Sequence, residues 1–373
     1  MNKRNILLAV TGMSPQVVTE TIYALYNDKN IVIDEVQIIT TSVGKEQAWL
    51  NLGAINQSDI GQIKQLCNDY DLPQIHFEED SIFVIPDSNG KEISDARSIE
   101  DHNALADFIT NHVRNLTENK EVNIHASLAG GRKTMTFFMG YALSLFGRVQ
   151  DSLTHVLVSK EFENVPGFFY PTPYDKTLTN RENLTLNARK AQVTLAQIPF
   201  VRMRDEMPGR MIKQPISYTE TIDLINMSSE EPSLYIDLLT PQLIVNDKIE
   251  VQMANAEIAF LAWMAHRTIN SEGGVATPTE GYPELSYAND FSFFYEIITG
   301  SISGRVERAL KEGMDKKYFE GRKTNIKKAL ETTLGKKTAA NFYVQPTGLI
   351  TEHGTAKLFG LKVKSENITI RKN

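Results

Sequence analysis

The chain opens on an unbroken apolar run, Ile6-Leu7-Leu8-Ala9-Val10. The polar turn Thr11-Gly12-Met13-Ser14-Pro15-Gln16 follows, and then apolar positions at Val17, Val18, Ile22, Leu25 and Tyr26. That order predicts strand, loop and helix. It recurs where Val36-Gln37-Ile38-Ile39 ends at Thr40-Thr41-Ser42 before a helix over 45–52. It recurs again where Val122-Asn123-Ile124-His125-Ala126-Ser127 ends at Ala129-Gly130-Gly131 before a helix over 134–146. A further strand is predicted at 155–159, another at 82–85 and a helix near 102–116. Apolar strands alternating with helices predict an α/β fold, a mostly parallel sheet with helices on both faces. Ligands of such sheets bind beyond the carboxyl ends of the strands, so the loops at 11–16, 40–45, 129–134 and 159–170 are expected to share one rim.

Between the strand at 82–85 and the next helix, residues 86–101 are polar and rich in turn formers, which reads as a surface excursion needing no function. After Tyr174 the chain is charged and irregular. A second pattern begins with Leu234-Tyr235-Ile236-Asp237-Leu238-Leu239, Leu243-Ile244-Val245 and, beyond a turn at Asn246-Asp247, Ile249-Glu250-Val251. An apolar helix follows over 256–264, then a basic helix over 323–334 ending at Gly335. Two strands come last, around 342–345 and 358–363. The predicted domains are 1–175, a connector at 176–230, and 231–373.

Charge changes the picture of the second half. Residues 301–373 hold 16 Lys and Arg against 7 Asp and Glu, a balance of +9, whereas the first 300 residues stand at −16. A polyanion partner for the tail and a salt-bridged contact between the halves both fit that asymmetry. The single cysteine, Cys67, excludes an internal disulfide framework and fits a reducing cytosol. No apolar run approaches the roughly 18 residues of a membrane span, and the opening run reads as a strand, so a cytoplasmic protein away from the membrane is expected.

Two strand-to-helix loops carry candidate chemistry. At Gly12-Met13-Ser14-Pro15-Gln16 the free N–H groups and the dipole of the following helix favour an anion, and the Ser14 hydroxyl is suited to a phosphate oxygen. Read locally, Ser14 is simply an N-cap with Pro15 at the first helical position. At Ala129-Gly130-Gly131-Arg132-Lys133-Thr134, two glycines permit close backbone approach, and two cations with a hydroxyl suit a phosphodiester. Cations at a helix start oppose the dipole, which also points to a bound anion. The loop is not a Walker A motif, because Arg132 precedes Lys133 and position 127 is Ser. The seven histidines, at 76, 102, 112, 125, 155, 266 and 353, form no metal-ligand spacing, and Gly-x-Ser-x-Gly is absent. No cofactor or metal is called for.

The segments Leu7-Leu8-Ala9-Val10-Thr11-Gly12-Met13-Ser14-Pro15-Gln16-Val17-Val18-Thr19-Glu20-Thr21, Ser127-Leu128-Ala129-Gly130-Gly131-Arg132-Lys133-Thr134-Met135 and Leu157-Val158-Ser159 running on to Phe168-Phe169-Tyr170-Pro171 resemble the CARF-type domain of CRISPR-associated ring nucleases. The resemblance covers roughly the first 175 residues. More diffusely, the later hairpin, helix and basic strands resemble that family's winged-helix extension.

The resemblance implies a Rossmann-like CARF domain with a winged-helix-like α+β domain behind it. It also implies a homodimer that binds cyclic oligoadenylate, usually cyclic tetra-adenylate, and cuts it without metal by attack of the ring's own 2'-hydroxyl. Type III CRISPR antiviral signalling is thereby switched off. Ser14, Arg132 and Lys133 are the implied catalytic set. Gly12, Met13, Gln16, Thr41, Ser42, Gly130, Gly131, Thr134 and Lys160 are the implied ligand contacts.

Three other readings compete. A CARF-activated ribonuclease would need an Arg, four to six residues, His motif; that spacing occurs at Arg97–His102 and Arg148–His155, both in the N-terminal half, and not before His266 or His353. A ligand-responsive transcription regulator would use the basic tail on DNA, a partner less favoured here than the ring. A passive sponge would hold the messenger without cutting it.

Overall fold

The computed structural model describes residues 3–53, 60–87, 89–302, 304–350 and 357–372, and it separates into two compact units. The first contains residues 1–205 and 215–218, the second 206–214 and 219–373. Among the described residues no helix is long and apolar enough to cross a membrane.

In the first unit the order is β1 (Arg4–Val10), α1 (Gln16–Lys29), β2 (Glu35–Thr40), α2 (Ser42–Leu52), α3 (Gln62–Asp69), β3 (Ile82–Val84), α4 (Ile99–Glu118), β4 (Val122–Ser127), α5 (Lys133–Phe146) and β5 (Ser152–Val158). A small hairpin, β6 (Thr177–Thr179) and β7 (Thr185–Asn187), precedes β8 (Val193–Gln197). The sheet order is β3-β2-β1-β4-β5-β8, with the first five strands parallel and β8 antiparallel to β5. Because β1 and β4 are central and covered on both faces, Ile6 to Val10 are all buried, as the unbroken apolar run requires.

This is the expected mixed α/β fold with a mostly parallel sheet. Residues 176–205, read from sequence as connector, belong to the first unit, where β8 completes the sheet. The 86–101 excursion is also tied down. Ser42 N donates to Ile93 O and Ile93 N to Ile85 O, which brings residues 93–97 over the end of β2.

The second unit contains α6 (Gly209–Lys213), most of α7 (Tyr218–Asn226), β9 (Leu234–Asp237), β10 (Gln242–Val245), β11 (Ile249–Glu250), α8 (Asn255–Ile269), β12 (Val275–Ala276), α9 (Leu285–Thr299), α10 (Gly304–Leu310), α11 (Lys316–Ala339), β13 (Gln345–Ile350), β14 (Lys357–Gly360) and β15 (Ile368–Arg371). Its sheets run β11-β10-β9-β15 and β12-β14-β13. Apolar on nearly every face, α8 is buried from Glu257 to Ala265, with Trp263 and Phe260 packed among Phe291, Phe319 and Phe342. The basic helix starts earlier than its sequence pattern, at Lys316, and breaks where expected, at Gly335 with φ 76°. Residues 351–356 of the expected strand pair, with His353, lie outside the described residues.

Part of the tail's positive charge is paired inside its own unit. Arg322 pairs with Glu257 at 2.8 Å, Arg371 with Asp237 at 2.9 Å, Lys364 with Glu231 at 2.6 Å and Lys316 with Glu280 at 3.4 Å. Lys323 pairs with Glu320 and lies 3.4 Å from the centre of the Phe359 ring. All four acids outside the tail lie between residues 231 and 280, so the split at residue 300 overstates the asymmetry between the two units.

Candidate functional site

The carboxyl ends of β1, β2, β4 and β5 converge as the alternating pattern demands, and their loops interlock. Thr40 Oγ1 donates to Thr11 O at 2.8 Å, and Thr11 N donates to Ile39 O. Across the central pair of strands, the β1 and β4 loops nearly touch. A Cβ on Gly130 would stand 2.8 Å from Val10 O, and one on Gly12 would stand 3.7 Å from Gly131 Cα. Only glycine at 130 allows that approach, and Gly131 turns the chain into α5 at φ 78°.

Two helices therefore begin side by side, neither with a side-chain cap nor an acidic residue in its first turn. Pro15 occupies the N-cap position of α1, so Ser14 is not the cap that local sequence suggests. Among the described residues the Ser14 hydroxyl has no hydrogen-bond partner. Arg132 precedes α5 in extended conformation and Lys133 is its first residue. The Lys133 ammonium is exposed and makes no ion pair among the described residues, while the Thr134 hydroxyl is buried without a partner. N–H groups at such uncapped starts are anion donors.

Two cavities flank this junction and share Gly12, Met13 and Gly131 as their common wall. The first, about 520 Å³, adds Thr41 and Arg132 with Ser94, Asp95 and Arg97 from the excursion. The second, about 370 Å³, adds Ser14, Gln16 and Gly130 with Glu20, His155, Glu163 and Asn164. Ser42, Lys133, Thr134 and Lys160 line neither cavity. Thr41 also caps α2, accepting from Gly44 N at 3.4 Å.

Asp95 is the residue that sequence reasoning missed in the first cavity. Its carboxylate accepts from Arg132 Nε at 2.6 Å and from Arg97 Nε at 2.8 Å, and those two guanidinium groups hold it at about 2, well below the usual carboxylate range. Arg132 is thus not the free cation that its position suggests; the chain supplies part of its anion. Glu20 is the corresponding omission in the second cavity. Burial pushes its carboxyl up to about 7. A signal for it was present in sequence, because a lone carboxylate at i+3 from Val17 and i−4 from Ala24 interrupts an apolar helix face.

The loop after β5 reaches the second cavity through Glu163 and Asn164, and Thr19 Oγ1 anchors its far end by donating to Phe169 O at 2.7 Å. The arginine of each Arg–His pair is otherwise engaged. Arg148 is bound to Asp151 at 2.9 Å and donates to the carbonyl of Val122, and Arg97 is held by Asp95.

The family described as CRISPR-associated protein NE0113 matches residues 14–230, more than half of the chain. No curated protein sequence matches significantly. Among solved structures, Enterococcus italicus Csm6 bound to cyclic hexa-2'-fluoro-hexa-dAMP is 14% identical, with 41% of this chain and 33% of that one covered at a TM-score of 0.27. A type III CRISPR defence DNA nuclease activated by cyclic oligoadenylate is 10% identical, with 89% and 34% covered at a TM-score of 0.24. The chain spans about a third of the length of either.

Proposed function

Since the chain belongs to the family of CRISPR-associated protein NE0113, we propose that its first unit binds cyclic oligoadenylate, cyclic tetra-adenylate in particular, and cuts the ring to end type III CRISPR signalling. The observation that carries this reading is the junction of two uncapped helix starts, with an unpartnered Ser14 hydroxyl, between two cavities of nucleotide size. Alternating sugar-phosphate and base along a ring needs such a repeat of anion sites and slots. A homodimer would offer each half of a two-fold ring the same residues.

In the proposed reaction an adenosine 2'-hydroxyl gives up its proton to water and its oxygen attacks the 3'-phosphorus of the same nucleotide in line. The new P–O2' bond forms as the bond to the next nucleotide's 5'-oxygen breaks, and that oxygen takes up a proton. The product is linear with a 2',3'-cyclic phosphate. Ser14 and the N–H groups of Met13 and Gln16 orient the ribose and phosphate, while Arg132 and Lys133 stabilise the charge on phosphorus oxygens. Gly12, Gly130 and Gly131 let the ring approach the backbone, and Thr41, Ser42, Thr134 and Lys160 are contacts for its remaining phosphates and sugars.

Incubation with cyclic tri-, tetra- and hexa-adenylate in the presence of a chelator, followed by product separation, tests the reading. Cyclic tetra-adenylate is expected to yield linear products. A ring left intact after prolonged single-turnover incubation would remove the nuclease reading, and strict dependence on a divalent ion would remove this mechanism.

A further inference from the structure

The second cavity holds a group that the cleavage mechanism does not use. Glu20 lies one turn inside α1, only 5% exposed, and still lines the cavity. Among the described residues its carboxyl has no hydrogen bond and no ion pair. Buried carboxyl groups are ordinarily paired, so an unpaired one facing a cavity points to a ligand. The walls around it are Val17, Ala129, Val156 and Val158, apolar surfaces suited to the faces of a flat ring. The helix starts at Ser14 and Gly131, which favour phosphate, stand at the same cavity.

We propose that this cavity is an adenine slot in which the Glu20 carboxyl group hydrogen-bonds the edge of the base, an inference that rests on the cyclic oligoadenylate reading above. A neutral carboxylic acid presents one donor and one acceptor side by side. Adenine presents the complement, an acceptor at N1 and a donor at the N6 amino group, so a purine that lacks the amino group loses one of the two hydrogen bonds. An ionised carboxylate, acceptor only, can still accept from N6 but sets its negative charge against the N1 lone pair, so binding weakens. Burial supplies the neutral form near pH 7, since Glu20 is pushed up to about 7 by desolvation.

The other titratable groups that line the cavity are His155 on β5 and Glu163 beyond it. β8, which also packs on α1, carries none, and Lys64, Cys67 and Asp69 of α3 lie outside the lining. Desolvation is the cause of the Glu20 displacement, so its titration is expected to dominate.

Equilibrium binding of cyclic tetra-adenylate and of the same ring built from purine riboside, which lacks the N6 amino group, to the full chain, its Glu20→Ala variant and its Glu20→Gln variant tests the slot. The wild-type chain should bind the adenylate ring more tightly, and lose about tenfold in affinity between about pH 6 and about pH 8.5 as the acid ionises. Glu20→Gln keeps a donor beside an acceptor and should preserve the preference without the pH dependence. Glu20→Ala should lose about ten- to a hundredfold for the adenylate ring and most of the discrimination. Alanine and wild type with equal affinity and equal preference, glutamine as weak as alanine, or wild-type binding flat with pH would each overturn the proposal. A wild-type chain that binds neither ring would instead remove the functional reading beneath it.

Discussion

Asp95 Oδ1 accepts a 2.6 Å hydrogen bond from Arg132 Nε, across 37 residues of sequence. The contact places an internal anion against a cation that the sequence would reserve for phosphate. Asp95 also holds Arg97, so one carboxylate occupies two guanidinium groups in the first cavity.

Asp95→Asn should therefore free both cations. Affinity for cyclic tetra-adenylate is expected to rise several-fold at low salt and to fall more steeply as salt increases, about one further counterion per freed cation. A salt titration of ring binding checks this. Weaker binding by the variant would make Asp95 a support for Arg132 rather than its competitor.

Ser14→Ala and Lys133→Ala should each slow single-turnover ring cleavage by about a hundredfold, with smaller changes in ring affinity, if their contacts tighten in the transition state. His102→Ala and His155→Ala should leave the rate nearly unchanged, although His155 lines the second cavity. Equal losses of affinity and rate would make Ser14 or Lys133 a ground-state contact. RNA cleavage abolished by either histidine change would restore the ribonuclease reading.

Glu20 also predicts a pH dependence of folding. Its folded value, about 7, lies above the ordinary 4.5, so the folded chain holds this proton more tightly than the unfolded one. Its contribution is complete below about pH 4.5 and is lost as pH rises through about 7. Glu20→Gln should match wild type near pH 5 and be more stable above about pH 8 by at most about 3 kcal/mol. Urea unfolding at the two ends of that range decides it; equal stabilities throughout would mean that Glu20 is solvated.

His112 acts at the acid end. Buried against Phe83 and Phe108, with Nε2 2.8 Å from Gln37 Oε1, its imidazole is lowered to about 4 by desolvation. The neutral ring is the folded form, so stability should fall as pH drops from about 6.5 through about 4, by about 2–3 kcal/mol. His112→Gln should flatten that part of the profile in an acid unfolding series.

Gly130→Ala would put a methyl group 2.8 Å from Val10 O, where the neighbour is backbone and cannot swing aside. A loss of about 1–3 kcal/mol is expected, read as a melting temperature a few degrees lower. An unchanged melting temperature would mean that the β1 and β4 loops can separate without cost.

The order of strands and helices in the first unit was legible from Ile6–Val10, 36–39 and 122–127, because local hydrophobic period decides element type. So was the rim, since parallel strands send their carboxyl ends to one edge. The glycine pair at 130–131 announced a close approach, though not that Val10 O was what it approached. Asp95 could not be placed from sequence: 86–101 has the composition of an excursion, and only the pairing of Ile93 with Ser42 and Ile85 brings it over the rim. The antiparallel β8 was equally hidden, because a five-residue edge strand after a charged stretch carries little periodicity. The +9 of the tail was legible by counting, whereas the acids at 231–280 that pair four of its cations become neighbours only when the second unit folds.

By itself the sequence determined the alternation of buried strands and helices, the strand-to-helix loops and the residue types within them, all properties of neighbours along the chain. Tertiary structure alone decided that Arg132 meets Asp95, that Pro15 rather than Ser14 stands at the N-cap of α1, and that Glu20, without a partner among the described residues, lines a cavity. Each of those depends on which distant backbone segments are brought within hydrogen-bonding range, and hydrogen bonds and desolvation act over a few ångströms of space regardless of separation along the chain.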